Sequence, residues 1–135
     1  MAYVAILTAP EFEDMELMYP RYRLLEAGHK VSLVASQKAT IHGKRGLSVE
    51  PDETYDDVKS SDSFDAVVVP GGWSPDHMRR DGKAIAFLRE FSDGKRPVAA
   101  ICHGGWALIS AGLVKGKTLT SFHSIQDDLK NAGAE

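Results

Sequence analysis

The segment Val98-Ala99-Ala100-Ile101-Cys102-His103-Gly104-Gly105 joins a short apolar run to the helical pattern of residues 103–111. The apolar run is typical of a buried strand that leads directly into a helix. Cys102 lies at the junction, with the small residues Ala100 two positions before it and Gly104 two positions after it. Small residues allow the backbone to make a sharp strand-to-helix turn, which presents the central side chain at the end of a sheet.

The same alternation of strand and helix runs through the rest of the chain. Strand patterns occupy residues 3–8, 30–35, 64–69, 97–101 and 118–121, helical patterns occupy 14–27, 81–93 and 125–132, and a hairpin is expected within 39–50. This order predicts a doubly wound, flavodoxin-like α/β fold, in which a mostly parallel sheet has helices on both faces in a three-layer sandwich. Functional residues are then expected beyond the carboxyl ends of the strands.

Length and composition exclude several classes of protein. The 135 residues predict a single domain over 1–135, and the net charge of -3 without a basic block gives no nucleic-acid-binding signature. No apolar run reaches the roughly 18 residues of a membrane span, and the apolar start has no basic residues of a signal peptide. The single cysteine allows no internal disulfide and favours a cytoplasmic location. No metal or cofactor is expected, because no pair of residues has zinc-ligand spacing.

Cys102 is the candidate nucleophile. A lone cysteine is often only a small buried apolar side chain, but its place at the strand-to-helix junction favours a catalytic role. The helix N-terminus predicts a thiol pKa well below the ~8.5 of a free cysteine. The turn Pro70-Gly71-Gly72 ends another strand pattern, where paired glycine N–H groups are suited to a developing oxyanion. The same three residues are also an ordinary turn signal.

Several residues are candidates to assist the thiol. The acidic stretch 11–16 suits a helix N-terminus for electrostatic reasons alone, and one of its carboxyl groups is also a candidate partner for the cysteine. His103 is a candidate base through its side chain, or a hydrogen-bond donor through its backbone N–H. His123 and Asp76 are further candidates.

Residues 11–16, 70–76 and 100–104 together resemble the ThiJ/PfpI family of the class I glutamine amidotransferase-like superfamily, and in particular its PfpI branch of intracellular cysteine peptidase-like proteins. The resemblance covers essentially the whole chain and continues at residues 120–125 and 131–133. It implies a cysteine hydrolase or lyase that acts on peptides or on glyoxal-derived carbonyls, as a peptidase, a deglycase or a cofactor-free glyoxalase. The alternative is a redox-responsive stress protein or chaperone, in which Cys102 is oxidised without turnover.

The resemblance also implies roles for individual residues. Cys102 matches the family's nucleophile, and His103 matches the histidine beside it. Glu16 matches the carboxyl group that hydrogen-bonds the thiol, with Glu13 as the next candidate. The backbone N–H groups of Gly72 and His103 match the oxyanion hole.

Asp76 aligns with an acid that a neighbouring subunit supplies, which implies a dimer or larger homo-oligomer, and Trp73 is the candidate anchor of that contact. The branch usually has Glu at the position of Asp76, and Tyr or His at that of Phe122, where His123 is a candidate substitute. Relatives of the branch continue for about one further strand and helix, roughly thirty residues. We therefore expect a C-terminally shortened form of the family's domain.

Overall fold

The protein is described by a computed structural model that covers residues 1–58 and 63–135. Its strands are β1 (Tyr3–Leu7), β2 (Lys30–Ala35), β3 (Ile41–His42), β4 (Ser48–Val49), β5 (Glu53–Thr54), β6 (Ala66–Val69) and β7 (Val98–Ala100). Five of them form one sheet in the order β5-β2-β1-β6-β7, and each neighbouring pair is parallel. Strands β3 and β4 form a separate antiparallel hairpin. The predicted parallel sheet and hairpin are therefore confirmed.

The helices are α1 (Asp14–Glu26), α2 (Ser74–Arg79), α3 (Gly82–Arg89), α4 (Gly105–Ala111) and α5 (Gln126–Asn131). Short 3-10 turns precede α4 and α5 and follow α3. Pro20 lies inside α1 without ending it. Helix α2 was not predicted, although Pro75 in its first turn is a recognised sign of a helix start. Within the described ranges, no helix is both long and apolar enough to cross a bilayer.

The alternation of side chains along β1 explains why helices cover both faces of the sheet. Ala5 and Leu7 are fully buried in one apolar cluster, which also contains residues of α3 and α4. Ile6 points into a second cluster with Leu17 of α1. Successive side chains of a strand point to opposite faces, so each face needs its own covering layer. The doubly wound arrangement predicted from the sequence follows.

The strand predicted over residues 118–121 does not form, and the residues run without a strand ladder. Their β-branched threonines produced the strand pattern, but a strand also needs a neighbour whose backbone it can pair with. The segment instead passes the end of β7, where the Phe122 N–H donates to the Cys102 carbonyl over 3.0 Å. The prediction of a strand here is wrong because it used local propensity alone.

Gly104 shows how closely the strand-to-helix turn packs on the sheet. A Cβ at this position would lie 2.5 Å from the Val69 carbonyl oxygen and 3.3 Å from the Ala100 Cβ. The first of these neighbours is backbone of β6 and cannot move without disturbing the sheet. The small residues noted in the sequence are therefore required by the contact between the turn and β6.

We expect Gly104→Ala to lower the free energy of unfolding by about 1–3 kcal/mol, the usual cost of forcing a methyl group into a packed site. Urea denaturation measures this change. Gly82→Ala is the matched control, because a Cβ there meets no atom within 4 Å and the position begins α3. Equal stability of the two variants would contradict the close packing of the turn.

Candidate active site

Cys102 sits just beyond the end of β7 in an uncommon backbone conformation. Its φ angle is 59°, in the left-handed region that residues other than glycine rarely adopt. The residues from Cys102 to Gly104 form a 3-10 turn, and α4 begins at Gly105. The surrounding contacts hold the cysteine in this conformation, which is the kind of local strain found at functional sites.

His103 places its ring directly against the cysteine sulfur. Its Nδ1 lies 3.2 Å from the Cys102 Sγ. The ring is stacked on Phe122 with centroids 5.0 Å apart, and Trp106 meets it edge-on at 4.8 Å. Trp106 is itself held by a 2.9 Å hydrogen bond from its indole N–H to Asp128. Adjacent residues do not automatically contact each other through their side chains, and here the aromatic packing orients the imidazole.

The turn of Gly71 and Gly72 is clamped to the segment that precedes α1. The Glu13 N–H donates to the Gly71 carbonyl over 3.3 Å, and the Trp73 N–H donates to the Glu11 carbonyl over 2.9 Å. Phe12 and Gly72 form an isolated antiparallel bridge between these contacts. The clamp brings the Gly72 backbone to the cysteine, and backbone hydrogen bonds from Gly72 and His103 act on the sulfur.

The electrostatic environment of Cys102 reverses the expectation of a low thiol pKa. Burial raises the pKa of the Cys102 thiol, and the negative charge of Glu16 raises it further. The backbone hydrogen bonds from Gly72 and His103 act in the opposite direction without overcoming burial.

Glu16 extends from α1 to the other side of the thiol. A Cβ on Gly71 would lie 2.6 Å from the Glu16 Oε1 and 2.7 Å from the Cys102 Cβ, so all three groups converge on one point. Burial and the charge of Glu13 raise the pKa of Glu16. Its Oε1 is buried and has no hydrogen-bond partner among the described residues. Protonation would give this oxygen a hydrogen to donate.

The His103 pKa is lowered, first by burial and then by the charge of Lys44. A raised thiol pKa and a lowered imidazole pKa both favour the uncharged forms near neutral pH. Burial thus disfavours the charged form of each partner. In this arrangement the imidazole can take the proton as the sulfur attacks.

The remaining candidate residues interact with other partners. Glu13 immediately precedes α1, without a capping hydrogen bond from its side chain, and pairs with Lys44 and Arg45. The Asp76 carboxylate, on α2, pairs with Arg80 over 3.1 Å. His123 is exposed, and its ring contacts that of Phe122 at 4.4 Å. Within this chain, neither Asp76 nor His123 has a recorded contact with the Cys102 side chain.

Lys44 and Arg45 line the same cleft as Cys102, although no motif in the sequence marked them as site residues. The cleft has a volume of about 290 Å³, and Trp73 and Phe122 form aromatic parts of its wall. The glycines around Lys44 signalled a hairpin but did not indicate what the hairpin would face. In the part of the chain that the structure describes, no group of three or more His, Cys, Asp or Glu side chains could hold a metal ion.

Comparison with known proteins agrees with this arrangement. The profile of the DJ-1/PfpI family matches residues 2–135. The chain belongs to the DJ-1/PfpI family. It is 50% identical over 133 residues to the deglycase PfpI of Pyrococcus furiosus, covering 98% of this chain and 79% of that protein. It is 43% identical over 134 residues to a protein/nucleic acid deglycase of Escherichia coli, covering 98% of this chain and 77% of that one.

Solved structures of the family have the same fold. A two-domain Anabaena variabilis protein with DJ-1/ThiJ/PfpI-like and ferritin-like domains matches with a TM-score of 0.95 and 40% identity, over 100% of this chain and 39% of that protein. Drosophila melanogaster DJ-1beta matches with a TM-score of 0.89 and 31% identity, over 96% of this chain and 70% of that one. The family resemblance read from the sequence is therefore confirmed.

We expect the Cys102 thiol to titrate above the ~8.5 of a free thiol, and Glu16→Gln to lower its pKa by removing the nearby negative charge. The pH dependence of iodoacetamide alkylation measures this pKa, because the protein has one cysteine. Glu26→Gln, at the exposed far end of α1, is the control and should leave the thiol pKa unchanged. A wild-type pKa well below 8.5 would show that the backbone hydrogen bonds outweigh burial.

Proposed function

We propose that this family member is a deglycase, which removes oxoaldehyde adducts from thiols or amines with Cys102 as nucleophile. The main supporting observation is the 3.2 Å contact between the Cys102 Sγ and the His103 Nδ1 inside an open cleft. Two relatives, 50% and 43% identical to this chain, are named as deglycases, which adds support.

In the proposed reaction, the pair of Cys102 and His103 supplies the nucleophile. As the sulfur bonds to the carbonyl carbon, the S–H proton passes to Nδ1 of His103 and the C=O electron pair moves to oxygen. The backbone N–H groups of Gly72 and His103 are the proposed donors to this developing oxyanion.

The carbonyl attacked is the aldehyde formed when the hydroxyl proton of the adduct passes to the carrier and the carbon–carrier bond breaks, so that the carrier leaves as a free thiol or amine. The imidazole returns its proton to the oxyanion, takes the hydrogen of the same carbon as a proton and delivers it to the neighbouring ketone carbon, while the hydroxyl proton moves to the ketone oxygen. Water then cleaves the resulting thioester to lactate and frees Cys102.

The overall reaction balances without an external oxidant or reductant. For a thiol adduct of methylglyoxal, R–S–CH(OH)–CO–CH₃ and water give R–SH, lactate and one proton. The carbon attached to sulfur is oxidised to a carboxylate, while the neighbouring ketone is reduced to an alcohol. Both changes occur in the same molecule, so the protein needs to supply only a nucleophile, proton transfer and charge stabilisation.

The size of the cleft favours this reaction over peptide hydrolysis. A cleft of about 290 Å³ suits a small oxoaldehyde unit rather than several residues of an extended peptide.

We expect the protein to release lactate from a preformed hemithioacetal of methylglyoxal, and Cys102→Ala to reduce the rate at least ~100-fold because the nucleophile is lost. Lactate is assayed enzymatically. Lys117→Gln, on an exposed loop, is the matched control for a substitution outside the site. A fluorogenic peptide assayed in parallel distinguishes a peptidase from a deglycase. Peptide hydrolysis without lactate release would identify a peptidase and refute the deglycase proposal.

We also propose that the protein self-associates through the loop that carries Trp73, so that Asp76 of one copy approaches the site of another. Trp73 is 48% exposed, as is the Asp76 side chain, and Trp73 lines the cleft. Exposed tryptophans are frequent anchors of protein interfaces.

Light scattering should therefore give a dimer or larger assembly, and Asp76→Asn should lower turnover while Cys102 stays alkylatable. Arg80→Gln is the matched control, because it breaks the same intrachain ion pair but keeps Asp76. A monomer with full activity would remove Asp76 from the site.

A further inference from the structure

The tip of the β3–β4 hairpin brings two cations to the mouth of the cleft. Lys44 and Arg45 both line the cavity that contains Cys102. Glu16 and His103 line the same cavity, and the positive charge of Lys44 acts to lower the pKa of both groups. The catalytic scheme above gives these cations no role.

Buried contacts fix the backbone beneath the two cations. The Asp14 side chain is 4% exposed, and it accepts hydrogen bonds from the N–H groups of Arg45 over 3.1 Å and Leu47 over 2.9 Å. The Lys44 N–H donates to the Phe12 carbonyl over 2.9 Å. Gly43 packs so tightly here that a Cβ would lie 2.0 Å from an Asp14 oxygen. The cations are therefore presented at a defined position rather than on a freely moving loop.

The two cations share one paired carboxylate. Glu13 lies 3.4 Å from the Lys44 Nζ and 3.2 Å from the Arg45 Nε. The Asp14 carboxylate beneath the hairpin accepts from backbone N–H groups and has no ion pair with either side chain among the described residues. Arg45 uses only Nε for its contact with Glu13 and is 67% exposed, so the rest of its guanidinium is not engaged by that carboxylate.

We propose that Lys44, with Arg45, recognises a carboxylate on the carrier part of the substrate, meaning the thiol or amine from which the oxoaldehyde is removed. This inference rests on the deglycase function proposed above. When the oxoaldehyde carbon reaches Cys102, the carrier remains at the mouth of the cleft, where the cations lie. Glu13 already demonstrates that a carboxylate fits between them. Charges at the rim of a site favour approach and binding of an oppositely charged partner.

The competing explanation is structural, with Lys44 and Arg45 serving only to hold Glu13 at the start of α1. The two explanations differ in one measurable respect. A structural role affects all substrates alike, whereas recognition of a carboxylate depends on the charge of the carrier. The ratio of kcat/KM for an anionic and a neutral carrier therefore separates them.

N-acetylcysteine and N-acetylcysteine amide form a matched pair of carriers, because they differ only in a carboxylate against a carboxamide. We expect lactate release from the methylglyoxal adduct of the anionic carrier to have a kcat/KM about three- to tenfold higher, mainly through KM. The preference should shrink as ionic strength rises. Lys44→Gln should bring the ratio close to one, and Lys44→Arg should retain the preference. Lys117→Gln, which removes a lysine outside the cleft, should keep the wild-type ratio.

The outcomes distinguish this inference from the function on which it rests. Carboxylate recognition is overturned if both carriers are turned over with equal kcat/KM. It is also overturned if Lys44→Gln keeps the preference for the anionic carrier. In both cases the deglycase proposal stands. Release of no lactate from either carrier overturns both. A preference that is lost in Lys44→Gln and kept in Lys44→Arg supports the inference.

Discussion

The backbone of Gly71 and Gly72 passes between two segments that leave no room for a side chain. At Gly72, whose φ is 69°, a Cβ would lie 2.4 Å from the Glu11 carbonyl oxygen and 2.5 Å from the Glu13 nitrogen. At Gly71 it would meet the carboxyl oxygen of Glu16 and the Cβ of Cys102. This close approach joins the end of β6, the start of α1 and the cysteine turn. The other groups of the site are positioned relative to this junction.

The junction also explains the protonation state of the site. Packing glycine backbone against the sulfur supplies hydrogen bonds, but it also excludes water, and loss of hydration disfavours the charged thiolate. Burial also lowers the pKa of His103, which disfavours the imidazolium. When a carbonyl is attacked, the oxyanion forms where backbone N–H groups already lie, as electrostatic preorganisation requires.

A second connection runs from the junction to the hairpin. Phe12 bridges Gly72 and accepts a hydrogen bond from the Lys44 N–H, and the neighbouring Glu11 N–H donates to the His42 carbonyl. One short segment before α1 therefore contacts both the proposed oxyanion donors and the hairpin that carries the cations. The reacting centre and the mouth of the cleft are held by the same few residues, which keeps their separation constant.

Local patterns in the sequence predicted most of the strand and helix order, the parallel sheet and the place of Cys102 at a strand-to-helix turn, but not helix α2 or strand β5. These features depend on periodicity and on small residues within a few positions of each other, so they can be read without knowing the tertiary structure. Only the tertiary structure decided the direction of the Cys102 pKa, which depends on burial and on Glu16, far away in the chain. It also decided that Lys44 faces the cleft and that residues 118–121 lack a strand partner. Desolvation, charge proximity and strand pairing all depend on distances between remote segments, and side-chain packing sets those distances.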